Sequence, residues 1–133
     1  MSKYGLYYIG IEDKVIMSLD EYEKSLDNTE NFYISVCFEV SHLYPNVVGF
    51  FAVFASVEGI YDRFKDKLNG KIISEKIVIL EKYDSKVIKN YIQSQLDFCD
   101  KFGSKGAYNY LCSYFTPREL DDIGDKNYFI LFD

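Results

Sequence analysis

Residues 32–40 read FYISVCFEV and residues 47–55 read VVGFFAVFA, and these two stretches decide the fold. In the first stretch apolar side chains alternate with polar or small ones such as Cys37 and Glu39. This period of two predicts a β-strand with one buried face. The second stretch is apolar on both faces, so we expect it to form the central strand of the sheet.

The sequence on either side of these strands contains clear helix signals. Ser18 and Glu21 form a capping box that opens a short helix. Ser56 can cap a second helix, and Asp84 can cap a third that carries inward-facing apolar residues at helical spacing. Another capping box begins at Thr116, with a proline at the first helical position, and predicts a further short helix.

Shorter aromatic and aliphatic runs at residues 4–11, 77–80 and 127–132 predict additional strands. The order of strands and helices predicts an α+β fold in one domain that spans residues 1–133. We expect a mainly antiparallel sheet of about five to six strands, covered by three to four helices.

The composition is that of an ordinary globular protein. The chain has 133 residues, of which 48% are apolar and 27% charged, and this excludes a disordered, collagenous or coiled-coil protein. The net charge of −6 disfavours binding to nucleic acid or to an anionic membrane, since phosphate groups are recognised by positive surfaces. Residues 1–10 lack the basic start and long apolar stretch of a signal peptide, so we expect a cytoplasmic protein.

Residues that commonly carry catalysis or bind metals are scarce. His42 is the only histidine, so a zinc site or a Ser-His-Asp triad would have to be built around it alone. Cys37, Cys99 and Cys112 form no CxxC pair, which indicates reduced thiols. Residues 121–125 match the spacing of a DDxxD metal motif, but a glycine interrupts them. We expect no enzymatic activity, no cofactor and no bound metal.

Acidic residues are concentrated in two parts of the chain. Residues 12–30 hold seven acids and two bases, and residues 118–133 hold five acids and two bases. Asp20, Glu23 and Asp27 have the spacing of one helical stripe. A concentrated acidic face attracts a basic partner and raises its rate of association. The candidate partner-binding acids are Asp20, Glu23, Asp27, Glu30, Glu119, Asp121, Asp122 and Asp125.

Tyrosine is unusually frequent, with 13 residues against 11 phenylalanines and no tryptophan. Its large apolar area and polar tip enrich it at protein interfaces, although a compositional bias of the genome would explain the number equally well. Helical spacing predicts that Tyr22, Tyr61, Tyr91, Tyr110 and Tyr114 lie in the core. Tyr33, on the polar side of its strand, and Tyr44, in a loop, are candidate contacts with a partner.

Two stretches of the chain combine short strands with an amphipathic helix. In residues 70–95 (GKIISEKIVILEKYDSKVIKNYIQSQ) two strands lead through an acidic and aromatic turn into a helix, and residues 18–26 precede the alternating strand 32–40. These stretches resemble the immunity proteins of bacterial contact-dependent growth inhibition systems. Members of that family bind a toxic nuclease domain and cover its basic active site, through contact residues that differ between members.

The resemblance implies an intracellular inhibitor, monomeric or weakly dimeric, that neutralises a basic effector such as a nuclease toxin domain. An acidic, tyrosine-containing surface would make the contacts. Two alternatives stay open. A phage-encoded inhibitor of a host defence nuclease would have the same surface. A small-ligand-binding or enzymatic domain would instead use a pocket between sheet and helix near Cys37 and His42, with the histidine as the base that a nucleophilic cysteine needs.

Overall fold

The computed structural model describes residues 3–11, 17–43, 46–67 and 76–117. The strands within these ranges are β1 (Leu6–Ile11), β2 (Tyr33–Leu43), β3 (Asn46–Ala55), β4 (Ile77–Ile79) and β5 (Thr116–Pro117). The α-helices are α1 (Leu19–Ser25), α2 (Val57–Phe64), α3 (Ser85–Phe98) and α4 (Ser104–Tyr114). Short 3₁₀ turns follow α2 at Lys65–Lys67 and α3 at Cys99–Lys101. No helix in the described ranges has the length and apolar character needed to cross a bilayer.

The strands form one sheet with β3 at its centre, as the apolar run 47–55 predicts. β1, β2 and β3 are antiparallel neighbours in that order. Along the other edge of β3, β4 runs parallel to residues 53–55, and β5 pairs antiparallel with Phe50 and Phe51. The sheet is therefore mainly antiparallel, and the predicted α+β fold is confirmed.

The hydrophobic core lies between one face of this sheet and the helices α1, α3 and α4. It contains Ile34, Val36, Phe38 and Val40 of β2, Phe50, Ala52 and Phe54 of β3, Ile88, Ile92 and Leu96 of α3, and Ala107 and Leu111 of α4. Burying one such large apolar side chain stabilises the fold by roughly 1.5–3 kcal/mol. The caps that the sequence predicts are formed, since Ser18, Ser56 and Asp84 each accept a backbone hydrogen bond at a helix start.

Two features of the sequence interpretation are wrong. β2 was expected to bury one face, yet Cys37 and Glu39 on its second face are 0% and 1% exposed. Alternation shows which side chains share a face, but it does not show whether the second face is covered. Thr116 and Pro117 form β5 rather than a helix start, because the buried Phe115 has extended backbone and packs edge-on against Phe38 at 5.0 Å. The strand expected at residues 127–132 lies outside the described residues.

Candidate functional site

Three connections of the chain meet at one end of the sheet. β2 begins at this end, while β3 and β4 end there, because β2 is antiparallel to β3 and β4 is parallel to it. The α1–β2 connection, the start of α2 and the β4–α3 connection are therefore neighbours. The corresponding segments, residues 19–31, 56–63 and 80–86, together carry nine acidic and four basic residues.

Tyr83 joins the first of these segments to the third. Its backbone N–H donates to the carbonyl oxygen of Thr29 at 2.7 Å, and its hydroxyl donates to the carbonyl oxygen of Leu19 at 2.7 Å. Its ring lies against Tyr22 and Phe32, with centroid distances of 5.1 and 5.3 Å. The β4–α3 connection is thus held against the start of α1, at Leu19, and against the α1–β2 connection, at Thr29.

Ser56 joins the second segment to the first. Its hydroxyl oxygen accepts from the backbone N–H of Phe32 at 3.1 Å and from that of Gly59 at 3.0 Å. The same serine caps α2, so this helix starts directly beside the residue that precedes β2. All three acidic segments are consequently held by hydrogen bonds in one arrangement.

Seven carboxylates from these segments form a surface that we call the acidic end: Asp20, Glu23, Asp27, Glu30, Glu58, Asp62 and Asp84. All are exposed except Asp84, which is partly exposed. Several of them accept hydrogen bonds from neutral donors. The Ser85 hydroxyl donates to Asp20 at 2.9 Å, and the Asn31 side-chain amide donates to Asp62 at 2.8 Å and to Glu58 at 3.3 Å. Such donors orient a carboxylate and leave its negative charge in place.

The carboxylates of the acidic end act electrostatically on the Tyr83 hydroxyl. Burial raises the pKa of Tyr83 well above the ordinary value of 10.0, and the negative charges of Glu23, Asp20 and Asp84 raise it further. The three carboxylates come from two different segments and act on one group. The excess of acids over bases in the three segments, nine against four, makes this end of the described fold negative.

Exposed apolar side chains lie next to these acids on α2. Val57 is 71% exposed and Tyr61 is 58% exposed, and they are one helical turn apart. Glu58 and Asp62 occupy the adjacent positions, also one turn apart. Large apolar anchors surrounded by charged groups are the usual composition of a protein-binding surface.

The structure places the predicted acids Asp20, Glu23, Asp27 and Glu30 at this end, but not as one helical stripe. α1 ends at Ser25, and the extended backbone of Leu26 takes the following residues off the helix. Asp27 is therefore in the connection to β2. The remaining predicted acids, Glu119, Asp121, Asp122 and Asp125, lie outside the described residues, as does Tyr44.

The tyrosines are distributed differently from the prediction. Tyr33 is half-buried, with the Arg63 guanidinium 4.7 Å from the centre of its ring and Phe64 packed edge-on at 5.7 Å. It therefore holds α2 against β2. Tyr61, expected in the core, is exposed on the outer face of α2, and Tyr114 is 43% exposed on α4.

Sequence reasoning missed Glu58, Asp62 and Asp84 as members of the site. The i, i+4 spacing of Glu58 and Asp62 in a capped helix shows that they share a face. Their position beside the α1–β2 connection follows only from strand order. The sequence indicates Asp84 only as a helix cap, and it does accept from the backbone N–H groups of Lys86 and Val87.

The alternative site at Cys37 and His42 is not assembled. Cys37 is fully buried in the middle of β2. His42 is exposed next to the last residue of this strand and has a φ of 68°. The regularly paired part of this stretch, from Cys37 to Val40, alone spans about 10 Å. Within the described ranges no group of three His, Cys, Asp or Glu side chains could hold a metal ion, and no disulfide joins Cys37, Cys99 and Cys112.

Comparison of the chain with protein-family models, with curated proteins and with solved structures finds no match.

Proposed function

We propose that this protein inhibits a basic protein effector, such as a nuclease toxin domain, by covering the effector's positive surface with the acidic end. The observation that carries this proposal is the convergence of seven carboxylates from three separate segments of the chain. Hydrogen bonds from neutral groups order several of them, so a partner can use their full charge.

Recognition uses two contributions. Carboxylates form paired, charge-assisted hydrogen bonds with arginine and lysine side chains, and a nuclease needs such cations to bind phosphate. Val57 and Tyr61 add apolar area at the centre of the contact, where most binding energy is concentrated. The negative potential also accelerates association at low ionic strength.

The test measures binding to the products of the genes adjacent to this one by surface plasmon resonance at low and high salt. Reversing two acids from different segments, Glu23→Lys with Glu58→Lys, should weaken binding by at least about thirtyfold, because one interfacial charge contributes roughly 2–5 kcal/mol. The same variant should remain folded, since exposed charges contribute only about 0–1 kcal/mol each to stability.

The matched control reverses one exposed acid outside the acidic end, Asp97→Lys, and is compared with the single reversal Glu58→Lys, which has the same net charge. The control should bind almost as the wild type does. If Asp97→Lys, Glu58→Lys and the double variant all bind with the same affinity and salt dependence, the acidic end is not the binding surface. The identity of the neighbouring genes separates a bacterial immunity protein from a phage-encoded inhibitor, which would use the same surface.

A further inference from the structure

The outer face of α2, formed by Val57, Glu58, Tyr61 and Asp62, presents an aromatic ring beside carboxylates. Tyr61 is 58% exposed, which makes it the most accessible aromatic residue among those whose side chains the structure describes. Glu58 lies one helical turn before it. Side chains at this spacing are neighbours on a helix surface, with about 5–6 Å between their Cβ atoms. A group that contacts the Tyr61 ring is therefore within reach of a negative charge.

The two carboxylates of this face are held close together. The side-chain nitrogen of Asn31 donates to Glu58 at 3.3 Å and to Asp62 at 2.8 Å, so one atom lies next to both acids. Two negative charges at this separation repel each other, and a neutral amide does not cancel either charge. A cation that reaches both carboxylates is therefore attracted more strongly than one beside a single carboxylate.

A cation that suits this face must contact the ring and the carboxylates at the same time. A guanidinium is planar, so it can stack on an aromatic face while the N–H groups on its edge donate to carboxylates. The chain contains such a stack on the other side of the same helix, where the Arg63 guanidinium lies 4.7 Å from the centre of the Tyr33 ring. An ammonium is a compact and strongly hydrated charge without this flat shape.

An aromatic ring by itself does not select arginine over lysine. The Lys101 ammonium lies 3.6 Å from the centre of the Phe98 ring on another part of the surface. The ring of Tyr61 differs because two carboxylates lie beside it, and the five donors of a guanidinium can serve both of them. The selectivity thus comes from the combination of ring and carboxylates.

We propose that the outer face of α2 binds an arginine side chain of the basic protein that the acidic end contacts. The guanidinium stacks on Tyr61 and pairs with Glu58 and Asp62, and Val57 contacts the aliphatic part of the side chain. This inference rests on the proposed function, because it names the side chain that the acidic end recognises on its partner. The protein then distinguishes an arginine-bearing surface from a lysine-bearing surface of equal charge.

The first experiment compares two peptides of equal charge, nonaarginine and nonalysine, by isothermal titration calorimetry with the full chain at physiological ionic strength. The arginine peptide should bind saturably and at least about threefold more tightly than the lysine peptide. Equal affinity for the two peptides, or no saturable binding of nonaarginine, would overturn the inference.

The second experiment assigns the preference to Tyr61. Tyr61→Leu removes the ring but keeps an apolar side chain, so the preference for arginine should fall by at least about threefold. Tyr61→Phe keeps the ring and should keep the preference. Tyr114→Leu is the matched control, since Tyr114 is an exposed tyrosine on α4, outside the acidic end. A folded Tyr61→Leu variant with the wild-type preference would contradict the inference.

The third experiment tests the carboxylates. Glu58→Gln removes one charge and keeps an oxygen that can accept from Asn31, and it should weaken the binding of nonaarginine by at least about threefold. Asp97→Asn removes the same charge from an exposed acid near the far end of α3, and should have little effect. Equal affinities of these two variants would show that Glu58 does not pair with the guanidinium. Circular dichroism and urea unfolding establish that every variant is folded.

This inference and the proposed function can fail separately. The charge reversals at the acidic end test binding to the effector, and their outcome does not depend on a preference for arginine. If those reversals abolish binding while Tyr61→Leu keeps the wild-type preference, the proposed function stands and the arginine site is wrong. If Tyr61→Leu loses the preference while the reversals leave binding to the effector unchanged, the arginine site stands and the proposed function is wrong.

Discussion

Gly59 is the residue at which α2 comes closest to the chain before β2. A Cβ atom at this position would lie 1.8 Å from the carbonyl oxygen of Phe32 and 2.5 Å from its carbonyl carbon. Both are backbone atoms, and the Ser56 hydroxyl fixes the two segments to each other. Relief of this clash therefore requires movement of the helix as a whole.

We expect Gly59→Ala to lower the free energy of unfolding by about 1–3 kcal/mol or more, which is the usual cost of overpacking. Gly106→Ala is the matched control within α4, where the added Cβ would meet the Phe102 Cβ at 3.4 Å. There alanine should be neutral or stabilise by up to about 1 kcal/mol through its helix propensity. Urea unfolding of both variants checks the difference, and equal effects would contradict the close approach at Gly59.

Among the helices, α1 and α2 have serine caps that differ in burial. The exposed Ser18 accepts from one backbone N–H, that of Glu21, at 3.1 Å. Ser56 is 1% exposed and accepts from two, those of Phe32 and Gly59. Removing the Ser56 hydroxyl therefore leaves two buried N–H donors without an acceptor. When the Ser18 hydroxyl is removed, water can accept from the exposed N–H of Glu21 in its place.

Ser18→Ala should cost about 0.5–1 kcal/mol, as an exposed cap usually does. Ser56→Ala should cost about 2–3 kcal/mol, because unsatisfied buried donors add to the loss of the cap. Chemical denaturation of the two variants measures both values. A smaller loss in Ser56→Ala than in Ser18→Ala would show that the buried serine does not join α2 to β2.

The starts of these helices could be predicted from the sequence, but the end of α1 could not. Capping depends on residues within one turn, so Ser18, Ser56 and Asp84 are recognisable locally. α1 ends at Ser25 without a glycine, and its last residues are positioned by packing, since Leu26 is half-buried against the core. This contact removes Asp27 from the stripe that its spacing with Asp20 and Glu23 suggests.

The composition of the acidic end depends on strand order, which the sequence does not show. The short strand β4 pairs in parallel with residues 53–55 of β3, and this brings Asp84 to the end of the sheet where β2 begins. A three-residue strand has too little pattern to reveal its direction or neighbour. Local charge density therefore identified Glu23 and Glu30, while Glu58 and Asp62 required the tertiary structure.

Over the whole molecule, charge is separated by the two sides of α2. Glu58 and Asp62 face outward beside the α1–β2 connection, and Arg63 lies over the sheet on Tyr33. One short helix therefore carries carboxylates on its outer side and a guanidinium on the side that faces the sheet.

In the described part of the chain, three groups make the stability of the fold depend on pH in the alkaline range. Burial, with a contribution from Asp100, raises the pKa of Cys99 from 9.0 to about 11. Burial, with a contribution from Tyr114, raises the pKa of Tyr110 from 10.0 to about 12, and the pKa of Tyr83 is raised still further. The folded state therefore keeps protons that the unfolded chain releases, so the free energy of unfolding should fall as pH rises above about 9.

Tyr83→Phe isolates the contribution of the group that joins α1 to α3. At neutral pH the variant should be less stable by about 0.5–1.5 kcal/mol, because it lacks the hydrogen bond from the hydroxyl to the Leu19 carbonyl. Above pH 10.0, the ordinary tyrosine pKa, its stability should fall less steeply than that of the wild type, since one proton fewer is released on unfolding. The exposed Tyr61→Phe is the control and should follow the wild-type curve. Urea midpoints measured from neutral to strongly alkaline pH give the slopes, and parallel curves for wild type and Tyr83→Phe would show that this hydroxyl titrates alike in the folded and unfolded states.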